Sequence, residues 1–182
     1  MPVSERTYQQ IILEDPEGQW ELHGGRLREK PSMTFAHNRT IARLGSLLTQ
    51  QLDWDEFDVR INAGWVRRPN EAYYIPDVFV VPVSMTEQFR DRSDILEVYD
   101  APLPLVVEVW SPSTGDYDVD AKLPEYRRRG DLEVWRLHPY ERTLTAWRRQ
   151  PDGSYTEELY RGGTVQPASL PNVSIDLDLL LR

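Results

Sequence analysis

Two carboxylates interrupt the most apolar segments of this chain. Asp77 lies within residues 74–81, and Glu108 lies within residues 105–110. Both segments are short, rich in β-branched and aromatic residues and bounded by prolines, which predicts strands that are buried on both faces. An unpaired carboxylate in such a strand is costly and is normally tolerated only if the charges share a cation or a hydrogen-bond network, so two of them on neighbouring strands suggest a metal site. The sequence therefore predicts a metal site between two buried strands.

The composition indicates a soluble protein with one core. The chain has 182 residues, of which 40% are hydrophobic, and we expect a single domain over residues 1–182. It contains no cysteine, which excludes disulfide scaffolds, cysteine nucleophiles and thiolate zinc sites. No apolar segment approaches the roughly 20 residues that a membrane span needs. We therefore expect a cytoplasmic protein without a membrane partner.

The charge distribution limits how the protein meets a polyanion. A net charge of −9 argues against passive nucleic-acid binding, which needs a basic surface to release counterions. Arginine clusters at residues 67–68, 127–129 and 148–149 are local exceptions. Each cluster is either a solvated surface or a contact for phosphates.

Apolar spacing and turn residues predict the order of the elements. Helices are expected at residues 5–13, at 34–52 and from 116 to a stop at Gly130, and strands at 20–23, 26–29, 57–67, 74–82, 104–110, 132–137, 143–148 and 155–160. This order predicts an α/β fold in which a central mixed sheet is flanked by helices and carries Asp77 and Glu108 on adjacent strands. The apolar segment 173–181 is expected to pack on the core or on a partner.

Pro124 disturbs the third predicted helix. Proline in a helix interior removes a hydrogen bond and clashes with the preceding turn, at a cost of about 3 kcal/mol. The helix therefore either begins later, near Leu123, or kinks at Pro124. The direction in which Lys122 points depends on this choice.

Several segments together resemble a known family. They are Trp20-Glu21-Leu22-His23-Gly24-Gly25-Arg26-Leu27, His37, Pro76-Asp77, residues 107–114, Asp118, Lys122, Tyr126, Gly130, Trp135 and Pro139. In order and spacing, over roughly residues 15–180, they resemble the Uma-type family of restriction endonucleases. That family is part of the PD-(D/E)xK nuclease superfamily, so the resemblance implies the restriction-endonuclease-like fold.

The resemblance also implies a chemistry. Asp77 and Glu108 would bind Mg²⁺ or Mn²⁺, with the main-chain carbonyl of Val109 as a third ligand. The superfamily's usual lysine, two residues after the strand glutamate, is replaced here by Trp110. Lys122 is expected to take over its catalytic role, which implies phosphodiester hydrolysis in nucleic acid, in DNA first of all. We expect a homodimer, since two strands must be cleaved, and the arginines at 127–129 would guide the backbone.

Two other functions fit the same residues. The protein could be a non-catalytic module of this fold that binds nucleic acid or a protein. It could instead be a glycosidase, with Asp77 and Glu108 as acid and base about 5 to 10 Å apart. Convergence of the two carboxylates within about 5 Å would favour a shared cation. A Lys122 ammonium within about 6 Å of either carboxylate would favour catalysis over the module.

Individual residues also have plain structural alternatives. Asp77 could bond a backbone amide at a strand edge, and Lys122 could be a solvated helix lysine. Glu21 and His37 could be a helix cap, hydrogen-bonded core groups or supports for the site rather than ligands. Trp110 and Trp135 are expected to be core aromatics.

Overall fold

The computed structural model describes residues 2–182 and contains thirteen strands and six α-helices within them. The strands are Trp20–His23 (β1), Arg26–Glu29 (β2), Phe57–Ile61 (β3), Trp65–Arg68 (β4), Ala72–Tyr74 (β5), Val78–Pro82 (β6), Val98–Tyr99 (β7), Leu105–Val109 (β8), Glu133–His138 (β9), Thr143–Arg149 (β10), Tyr155–Tyr160 (β11), Thr164–Val165 (β12) and Ile175–Asp176 (β13). The helices are Glu5–Glu14 (α1), Phe35–Gln51 (α2), Val83–Thr86 (α3), Gly115–Tyr117 (α4), Leu123–Arg129 (α5) and Leu177–Leu180 (α6).

A mixed six-stranded sheet forms the centre of the molecule. Its strand order is β11-β10-β9-β8-β6-β3, with β8 and β9 parallel and the other neighbours antiparallel. A second sheet has the order β2-β1-β5-β4-β7, and β12 pairs with β13. β6 and β8 are therefore adjacent, as the positions of the two carboxylates required.

Both faces of the central sheet are covered. Val78 and Val80 pack with the buried side of α2, whereas the alternating residues Phe79 and Val81 pack with Tyr126 of α5. This double coverage explains why β6 and β8 appear in sequence as continuous apolar runs. The C-terminal segment also packs on the core, where its buried residues join the α2 cluster.

Helix α2 begins where its sequence predicts. The Thr34 side chain accepts a hydrogen bond from the His37 N–H, which caps the first turn. Ile41, Leu44 and Leu48 then recur on one buried face of the helix. None of the helices in residues 2–182 is long and apolar enough to cross a membrane.

Two predicted strands are each divided in the structure. The predicted strand 57–67 is β3 and β4, and the predicted strand 74–82 is mainly β6, with Tyr74 belonging to β5. Asn62 and Gly64, with φ angles of 47° and 73°, turn the chain out of β3, so β4 enters the other sheet. The other predicted strands and the first two helices are confirmed within one or two residues at each end.

Pro124 follows a π-helical segment of the third predicted helix. The predicted helix 116–129 consists of α4, a π-helical segment Asp118–Lys122, and α5, in which Pro124 is the second residue. The backbone stays helical from one segment to the next, since Lys122 and Leu123 have right-handed helical angles and the Leu123 N–H donates to the Asp118 carbonyl. The helix therefore does not begin later but is irregular just before Pro124, with a π-helical segment of the kind that accompanies kinks, and Gly130 ends α5 with a φ of 83°.

Candidate active site

Asp77 lies at the entry to β6 and is fully buried among polar partners. Its Oδ1 is 2.7 Å from the Lys30 ammonium, and its Oδ2 is 3.0 Å from His37 Nε2. The Val109 N–H donates to the same Oδ2 at 2.7 Å. Burial favours the neutral acid, but Lys30 and the His37 hydrogen bond outweigh it and hold the pKa of Asp77 well below its ordinary value.

Lys30 follows β2 and is held by three groups. Its ammonium donates to Asn62 Oδ1 at 2.8 Å and to the Ile75 carbonyl at 3.1 Å, besides the contact with Asp77. Within residues 2–182, Asp77 Oδ1 accepts no well-aligned hydrogen bond, so the Lys30 contact is an ion pair. Lys30 thus compensates one of the two carboxylates.

Glu108 lies on the α5 side of β8. The Tyr126 hydroxyl donates to its Oε1 at 2.5 Å, and the Lys122 ammonium lies 3.2 Å from the same oxygen. Burial raises the pKa of Glu108 to about 8, against the opposing effect of Lys122. The nearby carboxylates of Asp118 and Asp77 raise this pKa further.

Lys122 points into the protein and contacts three carboxylates. Its ammonium lies 3.2 Å from Glu108, 2.8 Å from Glu21 Oε1 and 3.7 Å from Asp118 Oδ1. Burial alone would lower the pKa of Lys122, but these carboxylates raise it well above its ordinary value. The expected proximity to Glu108 is confirmed, and the alternative of a solvated lysine is wrong.

The site contains more negative than positive side chains. The four buried carboxylates of Asp77, Glu108, Glu21 and Asp118 face two ammonium groups, those of Lys30 and Lys122. Asp118 Oδ1 makes no hydrogen bond within residues 2–182, and burial raises the pKa of Asp118 to about 6. With all carboxylates ionised, the cluster would carry two uncompensated negative charges in a nearly dry environment.

Comparison with known proteins places the chain in a family. The family model named Uma2 and described as "Putative restriction endonuclease" matches residues 6–178. The chain belongs to the Uma2 family. This family's nuclease assignment agrees with the chemistry that the sequence implied.

A solved structure supports the Uma2 fold assignment. A protein of Anabaena variabilis ATCC 29413, titled a putative nuclease belonging to DUF820, has 16% sequence identity to this chain and a TM-score of 0.78. The match covers 99% of this chain and 98% of the other, so the two proteins share the restriction-endonuclease-like fold. No curated protein matched.

For this Uma2 member, Glu21 and His37 both belong to the site network. Glu21 accepts a hydrogen bond from the Ile75 N–H at 3.0 Å and contacts Lys122. The His37 ring contacts Asp77, while its backbone N–H takes part in the α2 cap. Both side chains are buried, so they support the carboxylates whether or not either one binds a metal.

Sequence reasoning missed Lys30 and the role of Tyr126. Tyr126 was named only as one of the residues that resemble the family, without a role in the site, yet its hydroxyl contacts Glu108. One signal could have identified Lys30, because the chain has only two lysines, Lys30 and Lys122. Both lie buried in the site, whereas every other cationic side chain is an arginine or a histidine.

The structure differs from one expectation about the aromatic residues and bears on one about the arginines. Trp135 is a core aromatic, but Trp110 is only half-buried and stacks on His138 with ring centroids 4.2 Å apart. Two of the arginines at 127–129 have partners within the protein, and the expected role of the three as a guide for a nucleic-acid backbone stays a prediction. The Arg129 guanidinium is buried against backbone carbonyls and Asp131, and Arg128 pairs with Glu125.

The structure does not contain a preformed set of metal ligands. No group of three or more His, Cys, Asp or Glu side chains converges in a metal-binding arrangement in residues 2–182. The ligand set of Asp77, Glu108 and the Val109 carbonyl stays a prediction, as does the 5 Å separation of the two carboxylates that a shared cation requires.

Proposed function

We propose that this protein is a divalent-metal-dependent nuclease that hydrolyses phosphodiester bonds, in DNA, with Mg²⁺ or Mn²⁺. The observation that carries the proposal is the cluster of four buried carboxyl groups around only two ammonium groups, which would carry two excess negative charges when all four are ionised. One divalent cation would balance this excess, and buried charges without a counter-ion are costly. Membership of a restriction endonuclease family supports the same chemistry.

The residues present fit such an ion. Asp77 and Glu108 offer hard carboxylate oxygens, and the Val109 carbonyl would be a third oxygen donor. When bound, the ion would polarise the phosphate and make a bound water acidic. Lys30 would have to share or give up its contact with Asp77 Oδ1, because its ammonium lies 2.7 Å away.

Lys122 has the environment of a charge-stabilising catalytic residue. Its ammonium is buried, so its field is weakly screened, and it lies 3.2 Å from Glu108. In this position it would stabilise the negative charge that grows on the phosphate in the transition state. Glu21 and Tyr126 would hold Lys122 and Glu108 in place through their contacts of 2.8 and 2.5 Å.

A non-catalytic module of the same fold is the second candidate. The Lys30–Asp77 ion pair favours it, because this contact compensates Asp77 without a metal. The nuclease proposal requires the ion to compete successfully with Lys30. Calorimetric titration with Mn²⁺ separates the two candidates, since the module has no need to bind a divalent ion.

The direct test is an activity assay on the purified protein. It should cleave plasmid or oligonucleotide DNA when Mg²⁺ or Mn²⁺ is added, and EDTA should stop the reaction. Single-stranded and double-stranded DNA and RNA should be assayed together. Absence of cleavage on all four substrates, with no divalent ion bound by calorimetry, would exclude the nuclease. Light scattering in the same buffer tests the homodimer that we propose for two-strand cleavage.

A further inference from the structure

A cavity of about 280 Å³ opens between the start of α2 and the turn that joins β9 to β10. Its lining residues include three arginines, Arg39, Arg142 and Arg182, and no acidic residue. The protein as a whole carries a net charge of −9, so this is a local reversal of charge. Such a cavity attracts an anionic ligand.

Exposed aromatic rings stand at the same cavity. Phe35 is 78% exposed and Tyr140 is 55% exposed, although both are large enough to favour burial. The Tyr140 hydroxyl donates to Thr34 Oγ1 at 3.1 Å, which connects the turn to the cap of α2. The Tyr140 ring also meets Trp110 edge-on, at a centroid distance of 5.8 Å. A free aromatic face next to arginines is the combination that binds unpaired nucleotides.

Helix α2 connects this cavity to the site. Phe35 and Arg39 are four residues apart and share the outer face of the helix. His37 lies on the inner face, where its ring is 3.0 Å from Asp77. A strand bound at the cavity would therefore lie on the opposite side of the first turns of α2 from the His37–Asp77 contact.

Arg142 has an unusual backbone conformation. Its φ is 54°, in the left-handed region that glycine and asparagine adopt most readily. A bulky residue in such a conformation suggests that its side chain has a role. Here that side chain lines the cavity.

We propose that this cavity binds an unpaired nucleic-acid strand, with one base stacked on Phe35 and phosphates held by Arg39 and Arg142. The proposal rests on the proposed nuclease function and narrows its substrate to single-stranded or locally splayed nucleic acid. A continuous duplex does not fit this description, because its bases are already stacked on one another and offer no free face.

The test is metal-free binding, measured by fluorescence anisotropy in EDTA with the full chain. The probes are a labelled 12-residue oligothymidine and a blunt duplex of the same length. Oligothymidine should bind more tightly than the duplex. Phe35→Leu should weaken its binding about 10-fold, whereas Phe35→Tyr, which keeps the aromatic face, should retain it.

Arginine variants test the phosphate contacts. Arg142→Gln should reduce the slope of log affinity against log salt by about 0.7, the value for one phosphate contact with a single strand. Arg149→Gln is the matched control. Strand β10 begins at Thr143, directly after Arg142, and ends at Arg149, so Arg149 lies at the opposite end of the strand. This control should leave the slope unchanged.

Several results would overturn the proposal. These are no binding of oligothymidine, equal binding by Phe35→Leu and the unmutated protein, or duplex binding at least as tight as oligothymidine binding. A dimer that dissociates in Phe35→Leu with unchanged oligothymidine binding would assign the cavity to a contact between copies. If the protein cleaves DNA but its oligothymidine binding does not depend on Phe35, this inference fails and the nuclease proposal stands. If oligothymidine binding depends on Phe35 but the protein cleaves nothing, the nuclease proposal fails and the binding site stands.

Discussion

Asp77 and Glu108 take opposite positions one step beyond the last pair of β6 and β8. Val78 of β6 pairs with Val107 of β8, so the next pair along would be Asp77 and Glu108. On the other side of β6, the Asn62 N–H donates to the Asp77 carbonyl at 3.0 Å, and this hydrogen bond extends the β3–β6 pairing to Asp77. Asp77 itself lies in a bend just before β6, and its side chain contacts His37 of α2, whereas Glu108 contacts Tyr126 of α5. The register nevertheless places the two residues side by side, and the Asp77 carboxylate accepts a hydrogen bond from the Val109 N–H, next to Glu108.

Removing either carboxylate should abolish metal-dependent cleavage. Asp77→Asn or Glu108→Gln leaves one hard ligand where two are needed, so we expect no Mn²⁺-dependent DNA cleavage and weaker Mn²⁺ binding. Gel assays and calorimetry measure the two effects. Cleavage by either variant at the unmutated rate would remove that residue from the metal site.

The same two variants should differ in metal-free stability. The lowered pKa of Asp77 means that its ionised form stabilises the fold, so Asp77→Asn should lose about 3 kcal/mol. The raised pKa of Glu108 has the opposite meaning, and Glu108→Gln should gain about 1 kcal/mol at pH 8. Urea denaturation measures both changes. Equal changes of the same sign would contradict the charge assignment.

Lys122→Ala should separate catalysis from metal binding. The variant withdraws charge stabilisation from the transition state but no ligand, so cleavage should slow about 10²-fold or more while Mn²⁺ still binds. Three carboxylates lose their cation, so metal-free stability should fall by about 3 kcal/mol or more. Rates are compared at saturating Mn²⁺, where the variant is folded. An unchanged rate there would leave Lys122 with a purely structural role.

Lys30→Met should make the fold depend more on metal. Without the ammonium, Asp77 is an uncompensated buried charge, and metal-free stability should fall by about 3 kcal/mol. The site then attracts a cation more strongly, so Mn²⁺ should raise the Tm of this variant by more than that of the unmutated protein. Thermal denaturation with and without Mn²⁺ provides the comparison. Equal Tm shifts would mean that Lys30 and the ion do not compete.

Metal-free stability should decline as the pH rises from about 5 to 8. The pKa values of Glu108 and Asp118 are raised from 4.5 to about 8 and from 3.8 to about 6. The folded state therefore binds these protons more tightly than the unfolded state does. The stability that these protons contribute is fully present when the pH is below the pKa values of the unfolded state. It is lost as the pH rises through the pKa values of the folded state, by at most about 1.4 kcal/mol per pH unit for each group.

Asp77 and Lys122 affect the stability only outside the range from pH 5 to 8. The lowered pKa of Asp77 removes stability only below about pH 4, and the raised pKa of Lys122 acts only at strongly alkaline pH. Glu108→Gln should therefore flatten the decline above pH 6. Urea denaturation from pH 5 to 8 tests this, and an unaltered slope in the variant would assign the dependence to other groups.

Arg142→Gly should stabilise the protein. A φ of 54° is strained for arginine but not for glycine. Glycine also makes the unfolded chain more flexible, which offsets part of this benefit, so we expect the free energy of unfolding to rise by about 0.5 kcal/mol. Arg39→Gly, in the regular part of α2, should instead lose about 1 kcal/mol. Urea denaturation of both variants is the measurement, and a loss at Arg142 would show that its side chain supports the turn.

Local sequence patterns were enough to predict most of the elements and the two strand carboxylates. Apolar runs and the glycines at 24–25 and 130 act on near neighbours, so they predict β6, β8, α2, the first hairpin and the end of the third helix without knowledge of the rest. Lys122 was named from the family resemblance, since its spacing alone is that of an ordinary helix lysine. The split of the predicted strand 57–67 was not foreseen, because a turn and a change of sheet depend on which neighbour each half pairs with.

Which charged groups contact one another depends on the three-dimensional packing of the chain. Lys30 follows a hairpin strand, Glu21 lies on another strand and Tyr126 on a later helix, yet all three contact the residues around Asp77 and Glu108. No periodicity connects positions so far apart in the chain. Their contact results from the packing of the two sheets and α5, and burial then turns ordinary side chains into coupled charges with shifted pKa values.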